Sequence, residues 1–209
     1  MTPIPPQLGP LLPYLDLFGI AVFAASGALA ATARGQTLVT AAFFALITGV
    51  GGGSVRDLLI GAPVFWVHDP LVAVVCLAAA ALIWVTPQRW WAGEALDWLD
   101  AFGLAAYAVF GAAKALQFGV PPVPAVLMGV ITACVGGIIR DVLAGEPSIL
   151  MRPELYVTAA ALAAALHVGL SIAGAPPFLA AALAASAGFA LRAAAIRWKL
   201  RLPAYRGRR

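Results

Sequence analysis

Charge is what this sequence has least of. Only 11% of its 209 residues are Asp, Glu, Lys or Arg, against roughly 25% in soluble globular domains, while 63% belong to the hydrophobic set. Nine acidic and thirteen basic side chains cannot wet a 21.4 kDa globule. A soluble enzyme is thereby excluded, and the mean hydropathy of +0.95 places most of the chain in lipid. Cysteine is nearly absent: Cys76 and Cys134 each lie in an apolar run and read as small buried side chains, with no disulfide framework. The two histidines, His68 and His167, fall at span edges without metal-ligand spacing and read as interfacial. No nucleophile has a paired base, and the glycine run near residue 50 lacks the spacing and the Lys-Ser/Thr of a phosphate loop. No enzyme, cofactor or metal centre is expected. The first thirteen residues hold five prolines and no basic residue, so they lack the n-region of a signal peptide, and the first apolar run is expected to remain a membrane helix.

The net charge of +4 is unevenly placed. Seven basic residues (Arg192, Arg197, Lys199, Arg201, Arg206, Arg208, Arg209) fall in the last eighteen positions, leaving six basic against nine acidic elsewhere. Basic residues directly after an apolar run mark a cytoplasmic end, where they also meet anionic membrane lipid. The charge therefore reads as topology, and no nucleic-acid partner is expected.

Apolar runs bounded by Pro, Gly and charge fall at about 14–33, 37–60, 71–86, 96–118, 122–144, 155–172 and 177–196. These predict seven transmembrane helices in a single membrane domain covering 1–209, with a basic cytoplasmic tail at 197–209. The third run is short, about 24 Å at 1.5 Å per residue. Trp66, Trp84, Trp90, Trp91 and Trp98 sit around its ends and the next start, as an interfacial belt does. With the tail in the cytoplasm and seven crossings, the N-terminus is outside, and Arg34, Arg89 and Arg152 all fall on cytoplasmic connections. A multi-pass protein of the cell inner membrane is expected.

The sequence repeats itself. At a constant offset of 84 residues, Leu15-Asp16-Leu17-Phe18-Gly19 matches Leu99-Asp100-Ala101-Phe102-Gly103. Without a gap, Gly27 matches Gly111, Gly35 matches Gly119, and Ile47-Thr48 matches Ile131-Thr132. Gly52-Gly53-Ser54-Val55-Arg56-Asp57 then matches Gly136-Gly137-Ile138-Ile139-Arg140-Asp141, and Gly61-Ala62-Pro63 matches Gly145-Glu146-Pro147. Over 15–63 against 99–147, 21 of 49 positions are identical. Repeat one covers about 14–86 and repeat two about 96–172, with the seventh helix at about 177–196 outside the duplication. Three spans per copy is odd, so the copies enter the membrane from opposite sides. The fold class is an all-α membrane protein of two inverted three-helix repeats plus a seventh helix, an architecture whose pathways lie where the copies meet.

The second span carries Gly49, Gly51, Gly52 and Gly53 within five positions, each costing roughly 1 kcal/mol relative to Ala in a helix. The fifth carries Gly136-Gly137 at the matching place, and both spans are expected to be kinked or interrupted there. Backbone freed by such a break must face protein or water, so the breaks point to a cavity. Carbonyls around Thr48 and Thr132 and the hydroxyls of Thr48, Thr132 and Ser54 are then candidate cation contacts, while the second half-helix points an N-terminal dipole inward. The competing reading is that the glycines only let helices pack closely. Arg56-Asp57 and Arg140-Asp141 are ionisable groups at membrane depth. Adjacent helical residues point about 100° apart, so the expected pairs are Asp16 with Arg56 and Asp100 with Arg140, one at each end. Lys114 breaks the symmetry, its counterpart being Ala30, and is expected to snorkel to the interface, with gating or ion repulsion as the alternative.

The duplicated Gly-Gly-x-x-Arg-Asp, each copy after an Ile-Thr and before a Gly-x-Pro, resembles the bacterial branch of the trimeric intracellular cation channel family, over roughly residues 14–196. The resemblance implies a homotrimer with one pore per subunit, lined by the second and fifth helices kinked at Gly51-Gly52-Gly53 and Gly136-Gly137, conducting monovalent cations, chiefly potassium. Val135 stands where the first copy has Gly51, so less bending is expected in the fifth helix. Sequences of this type are also classed as transporters of small solutes such as glycine, and a membrane protein with a purely structural role is the third reading.

Overall fold

The computed structural model describes residues 12–203, with side chains from 16 onward. Pro3, Pro5, Pro6 and Pro10 of the N-terminal segment and Arg206, Arg208 and Arg209 of the basic tail lie outside the described residues. Seven helices follow one another: α1 (Leu12–Thr32), α2 (Leu38–Leu59), α3 (Pro70–Val85), α4 (Ala95–Gln117), α5 (Pro122–Ala144), α6 (Val157–Ile172) and α7 (Pro177–Trp198). α2, α4, α5 and α7 are long and apolar enough to cross a membrane, whereas α3, α6 and the part of α1 from residue 16 are shorter apolar helices. Among the described residues no strand forms, and the one isolated bridge joins Glu154 to Arg201.

Several helix boundaries have a local chemical cause. Thr37 caps α2 by accepting from the Thr40 amide at 3.3 Å, and Asp69 caps α3 by accepting from Leu71 at 2.9 Å, ahead of Pro70. Pro122 and Pro177 open α5 and α7, where a missing N–H costs nothing. After α2 and α5 the chain turns through Gly61 and Gly145 at φ +67° and +66°. Only glycine enters that region without strain, which explains why both survive at the 84-residue offset. The correspondence extends past the identical residues, because a short 3₁₀ turn follows each of these helices, Phe65–His68 after α2 and Ile149–Met151 after α5.

Packing obeys the duplication. α1 lies on α2 and α3 as α4 lies on α5 and α6, while α2 against α5 and α1 against α4 join the two copies. The α1–α4 contact is reciprocal: Gly19 faces the ring of Tyr107, and Gly103 faces the ring of Phe23, the residue at Tyr107's matching position. These two rings meet edge to face at 5.4 Å between centroids. α7 breaks the symmetry by packing chiefly on α4 and α6, with Phe189 stacked on Phe102 at 4.3 Å and Gly188 against Ala163. Leu202 then donates its N–H to the Pro153 carbonyl at 2.7 Å, fastening the chain after α7 to the α5–α6 connection.

Candidate functional site

The glycine motifs meet at the centre of the molecule. A β-carbon on Gly52 would collide with the carbonyl oxygen of Thr132, and one on Gly136 with the carbonyl oxygen of Thr48. The same two residues exchange roles across the pseudo-two-fold axis, so α2 and α5 touch backbone to backbone. This corrects the expected interruption: α2 is helical throughout Leu38–Leu59 and α5 throughout Pro122–Ala144, so there are no half-helix ends to aim dipoles at an ion. The glycines instead remove the side chains that would hold two continuous helices apart.

The hydroxyls read as candidate cation contacts sit beside these glycines. Thr48 packs against Gly27 and Thr132 against Gly111, each inside its own repeat. Thr132 Oγ1 donates to the Met128 carbonyl at 2.6 Å, while Thr48 Oγ1 is buried without a hydrogen-bond partner. Ser54 Oγ donates to the Val50 carbonyl at 2.8 Å and accepts from Trp66 Nε1 at 2.9 Å.

At the far end of α5, Arg140 is 2% exposed. Its Nη1 donates to Asp100 Oδ1 at 2.6 Å and to Ser26 Oγ at 3.2 Å, so the expected pair with Asp100 is present. The pairing judged unfavourable is present as well: Nε at 3.0 Å and Nη2 at 2.8 Å both donate to Asp141 Oδ1. Adjacent residues diverge at their α-carbons, but a guanidinium on a three-carbon stem folds back far enough to bridge two nitrogens onto its neighbour's carboxylate. The other oxygen, Asp141 Oδ2, accepts the Ile149 amide at 2.8 Å.

The α2 end repeats half of this arrangement. Arg56 Nε donates to Asp57 Oδ1 at 2.9 Å, with Nη2 at 2.8 Å from the same oxygen, and Asp57 Oδ2 accepts the Phe65 amide at 3.0 Å. The rest differs. Lys114 Nζ lies 2.8 Å from Asp57 Oδ1, so this lysine reaches inward to a carboxylate of the other repeat and does not snorkel. The Asp16–Arg56 pair does not form; Asp16 Oδ1 accepts the Tyr107 hydroxyl at 2.9 Å. Two replacements explain the change. Tyr107 brings a hydroxyl where the other copy has Phe23, and Phe110 stands at the position matching Ser26, its ring 5.3 Å from the Arg56 guanidinium carbon. Arg56 Nη1 is left fully buried without a partner, as is Asp100 Oδ2 at the opposite end. The α2 end thus sets Asp16 and Asp57 against Arg56 and Lys114, while the α5 end sets Asp100 and Asp141 against Arg140 alone.

Sequence reasoning missed two further buried groups. Arg192, counted with the terminal basic residues although the expected seventh helix at 177–196 contains it, lies within α7 at 0% exposure; its Nη1 bonds Glu154 Oε2 at 2.7 Å and its guanidinium carbon sits 5.3 Å from the Tyr156 ring centre. Its position one helical turn after Gly188, which packs on α6, was the available signal. His167 is buried within α6. Cys76 and Cys134 are both buried and unbonded.

An inverted duplication of three membrane helices, joined through a backbone contact and carrying buried ion pairs at both ends, is a multi-pass membrane protein of the type whose pathways run between repeats. The comparisons name the family. A family model described as "Glycine transporter" matches residues 13–88 and again 97–171, once on each copy. A UPF0126 membrane protein of Vibrio cholerae is 38% identical over 201 residues, covering 93% of this chain and 83% of the relative. The UPF0126 inner membrane protein YadS of Escherichia coli K12 is 38% identical over 199 residues, covering 93% and 96%. Among solved structures, the trimeric intracellular cation channel orthologue from Rhodobacter sphaeroides is 43% identical with a TM-score of 0.83, covering 90% of this chain and 97% of that one. A prokaryotic channel of the same kind, solved in 0.5 M KCl, is 26% identical with a TM-score of 0.82, covering 92% and 98%. The chain belongs to the UPF0126 family, the bacterial branch of the trimeric intracellular cation channel family. The Caenorhabditis elegans channel, at 16% identity and a TM-score of 0.63, shares the fold.

Proposed function

We propose that this chain is a channel for monovalent cations, chiefly potassium, working as a homotrimer in the inner membrane with one path per subunit. The path runs beside the α2–α5 contact, past Gly51, Gly53 and Gly137, with α2 and α5 bending at their glycines while remaining helical. Its ends are marked by Asp16, Arg56, Asp57 and Lys114 on one side and by Asp100, Arg140 and Asp141 on the other. The N-terminus is outside and the C-terminus cytoplasmic. The observation that carries the reading is the pair of buried charge clusters at opposite ends of two helices in contact. Fully buried charges in lipid are expensive, and their place is beside a wet pathway. The α5 end holds one more carboxylate than cations, which favours a positive ion, and the 43% identical structure is a cation channel. The proposed ion moves through weak, transient contacts.

The second reading, a transporter of a small solute such as glycine, is supported by the name of the matching family model. One experiment separates them. Purified protein in planar bilayers under a KCl gradient is expected to give a reversal potential near that of potassium. Electrical silence together with saturable glycine uptake into proteoliposomes overturns the channel.

A further inference from the structure

The two Asp side chains of the duplicated motif do something that pairing with arginine does not explain. Each uses its second oxygen to hold the backbone amide eight residues later, Asp57 that of Phe65 at 3.0 Å and Asp141 that of Ile149 at 2.8 Å. Both amides are the first of a 3₁₀ turn, a donor with no partner inside its own turn. The turn after α2 packs on α2 and α3, and its contacts with the motif are specific: the Phe65 ring rests where a Gly53 side chain would be, and Trp66 Nε1 bonds Ser54. Seated there, Phe65 covers the charged end of α2, its ring centre 6.0 Å from the Arg56 guanidinium carbon and 5.9 Å from Lys114 Nζ.

We propose that Asp57 and Asp141 are positioning residues that latch the turn following each helix over an end of the conduction path, and that the Phe65 turn is the one that opens. The gating half of this rests on the channel reading; the latch does not. The asymmetry follows from burial. Ile149 is 2% exposed and closed over by the core, whereas Phe65 is only partly buried. Asp57 also shares its other oxygen with Lys114, whose side chain is 19% exposed and within reach of water. Withdrawal of that ammonium changes the field at the carboxylate that holds the turn, and the α5 end has no equivalent cation.

The test removes one hydrogen. Proline fits the first position of a 3₁₀ turn, and Val64 at φ −62°, ψ 116° already has the conformation proline demands of its predecessor. Phe65→Pro and Phe65→Ala both lack the ring and differ in the amide N–H. In bilayer recordings of the full-length protein, Phe65→Pro is expected to raise open probability at least about fivefold over Phe65→Ala at unchanged unitary conductance; equal open probabilities overturn the proposal. Ile149→Pro and Ile149→Ala are expected to share one open probability, and the reverse pattern overturns the choice of the moving end. Should Phe65→Pro fail to fold, single-residue amide exchange on the unmodified protein in nanodiscs decides the latch. The Phe65 amide is expected to exchange about tenfold more slowly than the neighbouring Trp66 amide, and equal rates overturn it. A silent unmodified protein in the bilayer overturns the gating half while the exchange measurement still judges the latch.

Discussion

Replacing Gly52 by Ala asks whether the central glycines are packing surface or hinge. In a helix with free space, the change gains about 1 kcal/mol from backbone propensity. Gly169 of α6 provides that case, since a β-carbon there meets nothing within 4 Å. At Gly52 the added methyl lands on the Thr132 carbonyl, a backbone atom that cannot rotate aside. Restoring an ordinary contact of about 3.5 Å requires α2 and α5 to separate by about 1.5 Å, and over-packing of this kind costs about 1–3 kcal/mol. Taking the upper part of that range and subtracting the propensity gain, Gly52→Ala is destabilised by about 2 kcal/mol, roughly 3 below Gly169→Ala. For a chain of this length that gap corresponds to roughly 6–12 °C in thermal midpoint. Tryptophan fluorescence melts in nanodiscs measure it. Gly136→Ala must fall with Gly52→Ala, because the two contacts are reciprocal. A Gly52→Ala protein that melts with or above Gly169→Ala refutes the close-contact reasoning.

The ion pairs give three more expectations. Asp100→Asn removes the charge from a fully buried partner of Arg140 and is expected to cost about 3 kcal/mol or more, whereas Asp16→Asn, which keeps an acceptor for Tyr107, is expected to cost less than about 1 kcal/mol; equal melting losses contradict the two geometries. Lys114→Gln removes a cation 2.8 Å from Asp57 and is expected to increase potassium conductance or open probability in bilayers, an unchanged current placing Lys114 away from the path. Arg34 pairs with Glu146 across the two repeats on an exposed surface, so Arg34→Ala is expected to lower stability by no more than about 1 kcal/mol at low salt and by less in 1 M KCl. A loss that persists at high salt rejects the exposed-pair description.

The helices were legible in the sequence because lipid demands long apolar runs, and the duplication because its offset never slips between residues 15 and 63. The Asp100–Arg140 contact followed from topology alone, since inversion puts the start of α4 and the end of α5 on one side. What stayed hidden depended on side-chain reach and on which copy had drifted. Nothing in the spacing tells that Arg140 folds back onto Asp141, or that an aromatic at Phe110 and a hydroxyl at Tyr107 redirect Arg56 and Asp16. The continuity of α2 through its glycines was obscured for another reason. Propensity counts what glycine costs a lone helix, and here the neighbouring backbone of α5 supplies the compensation. Arg192 was counted with the tail because a basic residue near the end of a chain carries the same letter in a buried helix as in a tail.

The contact at the axis is self-complementary: the surface that offers a glycine also offers the threonine carbonyl that another copy's glycine receives. Such a patch is what a two-fold symmetric homodimer needs. A single three-helix unit able to insert in either direction would therefore find its own partner, and joining two units in one chain would add no new interface. Fusion adds independence. A dimer of identical units must carry Lys114 at both ends or at neither, and Phe110 in place of both serines or of none. One chain holding both copies can give its two membrane faces different charge, so a symmetric scaffold acquires a direction.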